Sequence, residues 1–349
     1  MAADDNIAAA VQAAMTAGAS PAVQVAVARE GRIQYSRGFG LANIEGRRGL
    51  RRNGVFRIGS LSKQFTAAAC LRLASAHLLD LDAPISTWLP CMAHLPATTP
   101  LELMHQTAGF RSDETAAALA GTPSQIDLAR AIASQEQPFD FPPGAAWRYS
   151  NANYVVLGAI IEAVTGKPLA QAFDDLVFAP AGLRRTRMDG DGVVMPHRVT
   201  GYSHDERGEL VLAPPIAIAQ AGGAGALLST ADELCRWHRA LLGRHLFDAS
   251  YVDLMTAPGR LRDGRLSGAN RFAPEDASYG EVQYACGLLV SPPEDANPSL
   301  LHYGYIDGFS AMLQTYTRTQ LTIAVLCNCD PGPDLPFRGV RAAALTGAL

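Results

Sequence analysis

The sequence predicts an α+β fold in which an antiparallel sheet is flanked by helices and interrupted by a mostly helical insertion. Strand patterns occur near both ends of the 349-residue chain, helical patterns fill most of its middle, and no flexible linker separates them. We therefore expect residues 1–75 and 220–349 to form one α/β domain and residues 76–219 to form the insertion. The active site is expected between these two parts.

The individual elements follow from residue periodicity. Alternation of apolar and polar residues on either side of Glu30-Gly31 predicts a hairpin. From residue 56 the period becomes helical, with Phe65, Ala69 and Leu71 on the buried side together with Leu73. The patterns predict helices at 5–18, 56–79, 100–110, 124–134, 152–166, 229–243 and 336–347, and strands at 21–30, 31–40, 284–290, 299–304, 309–317 and 321–328.

Residue types at the ends of these segments support the assignments. Ser124 is a plausible cap for the 124–134 helix, and either Ser229 or Thr230 can cap the 229–243 helix. Gly166 ends the predicted 152–166 helix, because glycine is favoured just past a helix C-terminus. The Pro/Gly-rich segment 137–150 and residues 184–215 are expected to be loops.

Composition excludes several classes of protein. Hydrophobic residues make up 48% of the chain and the net charge is -4, which favours a large core and disfavours a nucleic-acid partner. No apolar run reaches the ~18 residues of a membrane span. The six cysteines are scattered, so we expect buried free thiols more than disulfides. The N-terminus lacks a signal-peptide pattern, which leaves a processed periplasmic or secreted protein and a cytoplasmic one both open.

Lysine is unusually rare in this chain. Of 29 basic residues only Lys63 and Lys167 are lysines, and the others are arginines. Arginine does not lose its proton at working pH, whereas a lysine in a suitable environment does. A site that needs an amine as proton acceptor must therefore use one of these two residues.

The first motif that carries chemistry is Ser60-Leu61-Ser62-Lys63, at the start of a predicted helix. A serine hydroxyl needs a nearby base to act as a nucleophile. Residues three apart share one face of a helix, so Ser60 and Lys63 can meet. Exposed N–H groups at the helix start can also stabilise an oxyanion on the substrate. The alternative is a capping serine with a solvated lysine.

Two further motifs carry candidate site residues. Tyr149-Ser150-Asn151 ends the Pro/Gly-rich loop, where a tyrosine beside an ammonium can relay a proton and an asparagine can hold a carbonyl or the lysine. His302-Tyr303-Gly304 lies on a late strand, where the glycine would let a substrate approach the strand edge closely. The N–H of Tyr305 would be the second oxyanion donor. Taken singly, each of these two motifs is better explained by packing or capping.

Together the three motifs resemble the serine β-lactamase, penicillin-binding-protein and class VIII esterase superfamily. Its members show S-x-x-K at a helix start, Y-x-N further on, and K-T-G or H-x-G on a late strand. The resemblance runs from about residue 20 to 330. It also covers the segments FRIGSLSKQFTAAACLRLASAHLLDLDAPISTWLP, LELMHQTAGF, WRYSNANYVVLGAIIEAVTGKPL, GGAGALLSTADEL and HYGYIDGFSAML.

The resemblance implies a β-lactamase/transpeptidase-like fold and an acyl-enzyme mechanism without metal or organic cofactor. By this resemblance Ser60 attacks a carbonyl, Lys63 or the Lys63–Tyr149 pair takes its proton, and Tyr149 protonates the leaving group. Asn151 would position Lys63 and the substrate. Which of Lys63 and Tyr149 holds the proton at rest is left open. Lys167 has an ordinary place in the TGKPL turn.

Departures from the family pattern bear on the substrate. His302 replaces the lysine with which β-lactamases hold the antibiotic's carboxylate, which disfavours efficient β-lactamase action. Histidine at this position is familiar in D-amino-acid peptidases and esterases of the family. Tyr303 and Tyr305 are bulkier than usual and either line an aromatic pocket or pack away from it. Gln106 stands where the family often has histidine, so its contribution to substrate binding is left open.

The leading functional prediction is a serine hydrolase that acts on esters or amides of small acyl groups, either an esterase or a D-amino-acid peptidase. A penicillin-binding DD-carboxypeptidase or weak β-lactamase is the alternative, and a non-catalytic binding protein on the same scaffold is a remote one. An α/β-hydrolase is disfavoured because no G-x-S-x-G motif occurs, and a metallohydrolase because no H-E-x-x-H motif occurs. The expected partner is a small ester, amide or D-residue peptide, and the oligomeric state is not predicted.

Overall fold

The structure of the protein is a computed structural model. It describes residues 2–18, 20–111, 119, 121–190, 192–279, 283–292, 294–330, 332 and 335–346. The helices described are α1 (Ala2–Thr16), α2 (Ser62–Ser75), α3 (Pro100–Met104), α4 (Gln125–Ala133), α5 (Asn151–Thr165), α6 (Leu169–Phe173), α7 (Ile218–Gly225), α8 (Ala231–Leu242), α9 (Ala249–Thr256) and α10 (Phe337–Thr346). The strands described are β1 (Ala22–Arg29), β2 (Arg32–Asn43), β3 (Arg48–Gly49), β4 (Phe56–Arg57), β5 (Arg187–Met188), β6 (Tyr202–His204), β7 (Leu210–Leu212), β8 (Leu227–Ser229), β9 (Gln283–Tyr284), β10 (Leu289–Val290), β11 (Ser299–Ile306), β12 (Phe309–Tyr316) and β13 (Leu321–Cys327).

An antiparallel sheet joins the two ends of the chain, as predicted. Its strand order is β3-β2-β1-β13-β12-β11-β10-β9, so β1 pairs with β13 across most of the sequence. In that pair Val25 lies opposite Val325. The predicted hairpin turn is confirmed, because Glu30 and Gly31 connect the two strands and both have positive φ, as a type I′ turn requires. The predicted α+β fold class is therefore confirmed, whereas the division into two domains stays a prediction.

Helices cover both faces of the central strands. Val23, Val25 and Val27 of β1 belong to the core cluster that also contains residues of α1 and α10. The alternate residues Ala26 and Ala28 belong to the larger cluster, which includes α2 and α8. Helix α8 packs on β1 and β13 from that side. This two-sided cover explains why β1 is buried on both faces, unlike a strand of a half-exposed sheet.

Helix α2 lies between the sheet and the helical part of the chain. The predicted helix at 56–79 is longer than the observed one, because residues 56–57 form a strand and residues 59–61 a 3₁₀ turn. Almost every residue of α2 is buried, and no single apolar face exists. The expectation of one buried side was therefore too narrow. Small alanines allow neighbouring elements to pack around the helix on all sides.

Other boundaries differ from the predictions for local reasons. The 100–110 helix ends at Met104, since Gln106 adopts a left-handed φ of 62°. The 284–290 strand is two short strands, β9 and β10, because the chain turns between them at Gly287. Within 184–215, expected to be loop, the short strands β5, β6 and β7 form. Residue 347 of the last predicted helix lies outside the described residues.

The predicted caps are largely confirmed. Ser124 caps α4 in a capping box with Asp127. Thr230, and not Ser229, caps α8 by accepting from the N–H of Glu233. Helix α5 ends before Gly166, which is in the left-handed conformation.

Two further expectations concern the cysteines, predicted to be mostly free, and membrane-spanning segments, of which none was predicted. All six cysteines are free, and all except the partly exposed Cys91 are buried. Within the described ranges, no single helix has the length and apolar character needed to cross a membrane. α5 and the adjoining helical stretch Leu169–Phe178 meet that test only as a pair bent by 82°.

Candidate active site

The candidate nucleophile lies where the chain turns into α2. Ser60 is partly exposed within the 3₁₀ turn Gly59–Leu61, and Lys63 is the second residue of the helix that follows. This geometry places Lys63 Nζ 3.0 Å from Ser60 Oγ. Lys63 is completely buried, so it is not the solvated lysine of the alternative interpretation.

The amine of Lys63 has three neighbours within hydrogen-bond distance. The side-chain oxygen Oδ1 of Asn151 lies at 2.8 Å and the carbonyl oxygen of Ala224 at 2.9 Å. Both are acceptors only, so Lys63 must donate to each of them. An uncharged amine has two hydrogens and one lone pair. Once both hydrogens are used, the lone pair points towards the third neighbour, the hydroxyl of Ser60.

The surroundings of Lys63 favour its uncharged form. Burial lowers the pKa of Lys63 well below 10.5, its ordinary value, because the ammonium loses its hydration. The rings of Tyr149 and Tyr154 lie 4.8 and 5.7 Å from Nζ and offer the ammonium only partial compensation. The arrangement therefore favours Lys63 as a general base.

Tyr149 completes the group around Ser60. Burial raises the pKa of Tyr149 above its ordinary value, and a hydrogen bond with Ser60 opposes this rise only in part. The ring stacks on Tyr279 at 5.9 Å and meets Tyr284 edge-on at 5.9 Å. Tyr149 therefore stays protonated near Ser60, where it can donate a proton.

Gln106 supports this region from behind. It is fully buried, and its Oε1 accepts from the backbone N–H of Ser150 at 3.0 Å and from Nδ2 of Asn153. These bonds fix the turn that presents Tyr149 and Asn151. Gln106 therefore contacts the loop that carries Tyr149. It is not among the residues that line the cleft beside Ser60.

His302 is a neutral, buried side chain. Its Nδ1 lies 2.5 Å from the carbonyl oxygen of Tyr303, which only accepts, so Nδ1 carries the proton. Its Nε2 then accepts from the hydroxyl of Tyr284 at 3.2 Å. Burial, with a smaller contribution from Lys63, lowers the pKa of His302 to about 3. His302 consequently offers neither positive charge nor a free donor to a substrate.

Gly304 allows strand β11 to lie against the turn that holds Ser60. A Cβ at Gly304 would be 1.9 Å from the carbonyl oxygen of Ile58, and a Cβ at Gly59 would be 2.8 Å from the backbone nitrogen of Tyr305. The close approach expected at Gly304 is therefore made by the protein's own backbone. It brings the N–H of Tyr305 next to the Ser60 turn.

Tyr303 and Tyr305 share one face of β11. Their rings stack at 6.2 Å, and Tyr303 also stacks on Phe337 of α10 at 5.9 Å. Of the two alternatives, Tyr303 packs away from the site. Tyr305 is 46% exposed and is among the residues that line the cleft.

An open cleft of about 580 Å³ leads to Ser60. One wall is apolar and comes from α4, α5 and the segment before and within α7. Arg111 and Asp307 are the charged residues among those described as lining it, and Arg111 lies 3.6 Å from the carboxylate of Asp140. The apolar wall consists of Ile132, Ala152, Val155, Ile216, Ala217, Ala221 and Ala224.

Three contributors to the site were not found from the sequence. Ala224 acts through its carbonyl, and backbone atoms carry no residue signature, although the glycine-rich GGAGA segment marked an unusual turn. Tyr279 and Tyr284 pack around Tyr149 and His302; Tyr284 begins a predicted strand, and Tyr279 lies in a segment for which no element was predicted. Tertiary packing, invisible in local spacing, brings these residues to the site.

The fold, with the buried Lys63 next to the partly exposed Ser60, defines a serine hydrolase. Comparison with known sequences agrees, and the chain belongs to the Beta-lactamase family, whose sequence model matches residues 7–348. The family resemblance of the motifs is thereby confirmed.

Named relatives are similar over different lengths. Penicillin-binding protein 4* of Bacillus subtilis (strain 168) is 24% identical over 337 residues, which cover 91% of this chain and 70% of that protein. Esterase EstB of Burkholderia gladioli is 39% identical over 177 residues, covering 45% of this chain and 44% of that protein. The D-stereospecific amidohydrolase from Streptomyces sp. superposes with a TM-score of 0.78 at 27% identity, covering 98% of this chain and 99% of that one.

Proposed function

We propose that this protein hydrolyses small, uncharged carboxylic esters through an acyl intermediate on Ser60. The observation that carries the proposal is the position of Lys63 Nζ, 3.0 Å from Ser60 Oγ, 2.8 Å from Asn151 Oδ1 and 2.9 Å from the Ala224 carbonyl oxygen. A serine hydroxyl with a buried, uncharged amine at this distance is an activated nucleophile.

The chemistry begins with attack of Ser60 Oγ on the ester carbonyl carbon while its proton passes to Lys63 Nζ. The carbonyl oxygen becomes an oxyanion, which the backbone N–H groups of Ser60 and Tyr305 stabilise. Collapse of this intermediate breaks the bond to the alcohol. The alcohol takes the proton of Tyr149, and the ammonium of Lys63 returns a proton to the phenolate.

The second half of the reaction releases the acid. Water attacks the acyl carbonyl and its proton passes to Lys63, which then reprotonates Ser60 as the acid leaves. Asn151 holds Lys63 in line during both halves. All groups return to their starting protonation states, and the chain's own residues carry every proton.

The neutral state of His302 supports an uncharged substrate. A carboxylate on the substrate would need a cation near β11, and His302 supplies none because its pKa is about 3. The apolar wall of the cleft fits an acyl or alcohol group without charge. EstB, the relative with 39% identity over 177 residues, is named an esterase.

Hydrolysis of D-amino-acid amides is the second candidate. It is supported by the structural likeness to a D-stereospecific amidohydrolase over 98% of the chain. Asp307, at the cleft, could accept the α-ammonium of such a substrate. A penicillin-binding carboxypeptidase is less well supported, because its substrates carry a carboxylate.

The proposal is tested with p-nitrophenyl butyrate, wild type and Ser60→Ala. Ser75→Ala, at the other end of α2, is the matched control, since its hydroxyl bonds only within that helix. We expect turnover by wild type and Ser75→Ala, and none by Ser60→Ala. Equal turnover by Ser60→Ala contradicts the proposal. Substrate binding without turnover by wild type would indicate the non-catalytic alternative.

The substrate class is tested with two further compounds. D-Alanyl p-nitroanilide hydrolysed faster than the butyrate ester, as judged by kcat/KM, would favour the amidase. Stable acylation by benzylpenicillin, seen as a mass increase, would favour the penicillin-binding alternative. Faster turnover of the neutral ester, without stable acylation, is the expected result.

A further inference from the structure

A glutamine that is not among the cleft-lining residues lies where α7 breaks. Gln125 is the first residue of α4 and is only 1% exposed. Its side chain lies against Gly222, whose φ of 39° and ψ of -131° interrupt the helical conformation within α7. The break therefore has a buried polar side chain packed directly on it.

The amide of Gln125 bridges the two sides of this break. Its Oε1 accepts from the N–H of Gly223 at 3.1 Å, and its Nε2 donates to the carbonyl of Ala219 at 3.5 Å. Two glycines leave room for it. A Cβ would lie 1.9 Å from Oε1 at Gly222 and 2.8 Å from Oε1 at Gly158. The amide thus satisfies backbone groups that the broken helix does not pair.

Ala224, the residue that follows the Gln125–Gly223 contact, holds Lys63 through its backbone carbonyl. Gly223 is fixed on both sides, because its carbonyl also accepts from the hydroxyl of Thr66 at 2.6 Å. The carbonyl of Ala224, the next residue, accepts from Lys63 Nζ at 2.9 Å. The direction of that carbonyl consequently depends on how the kinked segment is held.

Gln125 is itself held by the helix that provides the other acceptor of Lys63. Its backbone N–H donates to Glu162 on α5 at 2.9 Å. Helix α5 begins at Asn151, whose Oδ1 accepts from Lys63 at 2.8 Å. One buried residue therefore connects the two groups that orient the amine.

We propose that Gln125 is a positioning residue for the reaction, because it holds the kinked segment of α7 so that the Ala224 carbonyl directs the lone pair of Lys63 at Ser60. This inference rests on the proposed hydrolase function. Gln125 does not touch substrate, and it acts on the orientation of Lys63. Its removal should affect the chemical step more than binding of the ester.

The test is Gln125→Met, which keeps the volume of the side chain and removes both hydrogen bonds. We expect kcat for p-nitrophenyl butyrate to fall about tenfold or more, with KM changed less than about twofold. The acid limb of the pH–kcat/KM profile should move to lower pH, because the ammonium form of Lys63 loses an acceptor. Gln314→Met is the matched control, since Gln314 is also buried and hydrogen-bonded but lies on β12.

The control separates positioning from general destabilisation. Gln314→Met should lower the melting temperature without changing kcat or the pH profile.

Gly158→Ala is a second, milder variant, because its added methyl group displaces the Gln125 amide while favouring the α5 helix. It tests the same idea if Gln125→Met does not fold, and its kcat is expected to fall while KM stays unchanged.

The results distinguish failure of the positioning role of Gln125 from failure of the proposed hydrolase function. If folded Gln125→Met, or Gly158→Ala in its place, keeps wild-type kcat and pH profile while Ser60→Ala is inactive, the positioning role is wrong and the hydrolase function stands. If Ser60→Ala is as active as wild type, the proposed function itself is wrong.

Discussion

The contact between β11 and the Ser60 turn makes Gly304→Ala a sensitive test of the proposed oxyanion site. The added Cβ would lie 1.9 Å from the carbonyl oxygen of Ile58, and ordinary contact begins at 3.4 Å. The strand must therefore move by about 1.5 Å. This displacement carries the N–H of Tyr305 away from the oxyanion. Loss of one such donor costs about 10²–10³-fold in kcat, or about 2.7–4 kcal/mol.

The assay is kcat for p-nitrophenyl butyrate, measured on protein whose folding is checked by circular dichroism. Gly49→Ala is the matched control, because Gly49 lies in strand β3 and its added Cβ would have no neighbour within 4 Å. We expect near wild-type kcat for Gly49→Ala and a large loss for Gly304→Ala. A folded Gly304→Ala variant with kcat within about twofold of wild type would refute the oxyanion role of this strand.

Three further predictions concern individual groups. Lys63→Arg should lower kcat by about 10²-fold or more, since a guanidinium stays protonated and cannot accept the serine proton; a kcat near wild type would exclude Lys63 as base. Tyr149→Phe should slow an ethyl ester more than a p-nitrophenyl ester, because only the poorer leaving group needs a proton, and equal losses would contradict this role. His238 is buried and its pKa is lowered to about 3. The unfolded chain therefore binds a proton that the folded one does not, and the free energy of unfolding should fall by up to about 1.4 kcal/mol per pH unit between pH ~6.5 and ~3 from this residue. Urea denaturation at several pH values should show that the free energy of unfolding of His238→Asn depends less steeply on pH than that of wild type. An unchanged pH dependence would contradict the assignment.

The core of the site was predictable because its contacts are local in sequence. Ser60 and Lys63 are one helical turn apart, and the scarcity of lysine singled out Lys63. The motif containing Tyr149 and Asn151 was tied to them by family resemblance, and the structure brings both next to Lys63.

The environment of these residues was not predictable. The orientation of the Lys63 amine depends on the Ala224 carbonyl, which comes from 161 residues further along the chain. The lowered pKa of His302 depends on burial, with a smaller contribution from Lys63, a residue distant in the sequence. Sequence spacing contains neither a backbone carbonyl's direction nor the depth at which a side chain is buried.

Fold prediction failed where tertiary packing overrides local pattern. The alanine-rich α2 was expected to have one buried side, yet neighbours cover it all round. The choice between two orientations of Tyr303 was open until Phe337 of the C-terminal helix was seen to stack on it. In each case packing against a distant element determines which side chains are buried. Residue periodicity carries information only about the element in which it occurs.

The most direct test of the acyl-Ser60 mechanism is to locate the covalent intermediate. Wild type is mixed with p-nitrophenyl butyrate, quenched in acid during turnover, digested and analysed by mass spectrometry. We predict one butyryl group on the peptide that contains Ser60, and none on that peptide from Ser60→Ala. A butyryl group on another residue, with turnover retained in Ser60→Ala, would contradict the account.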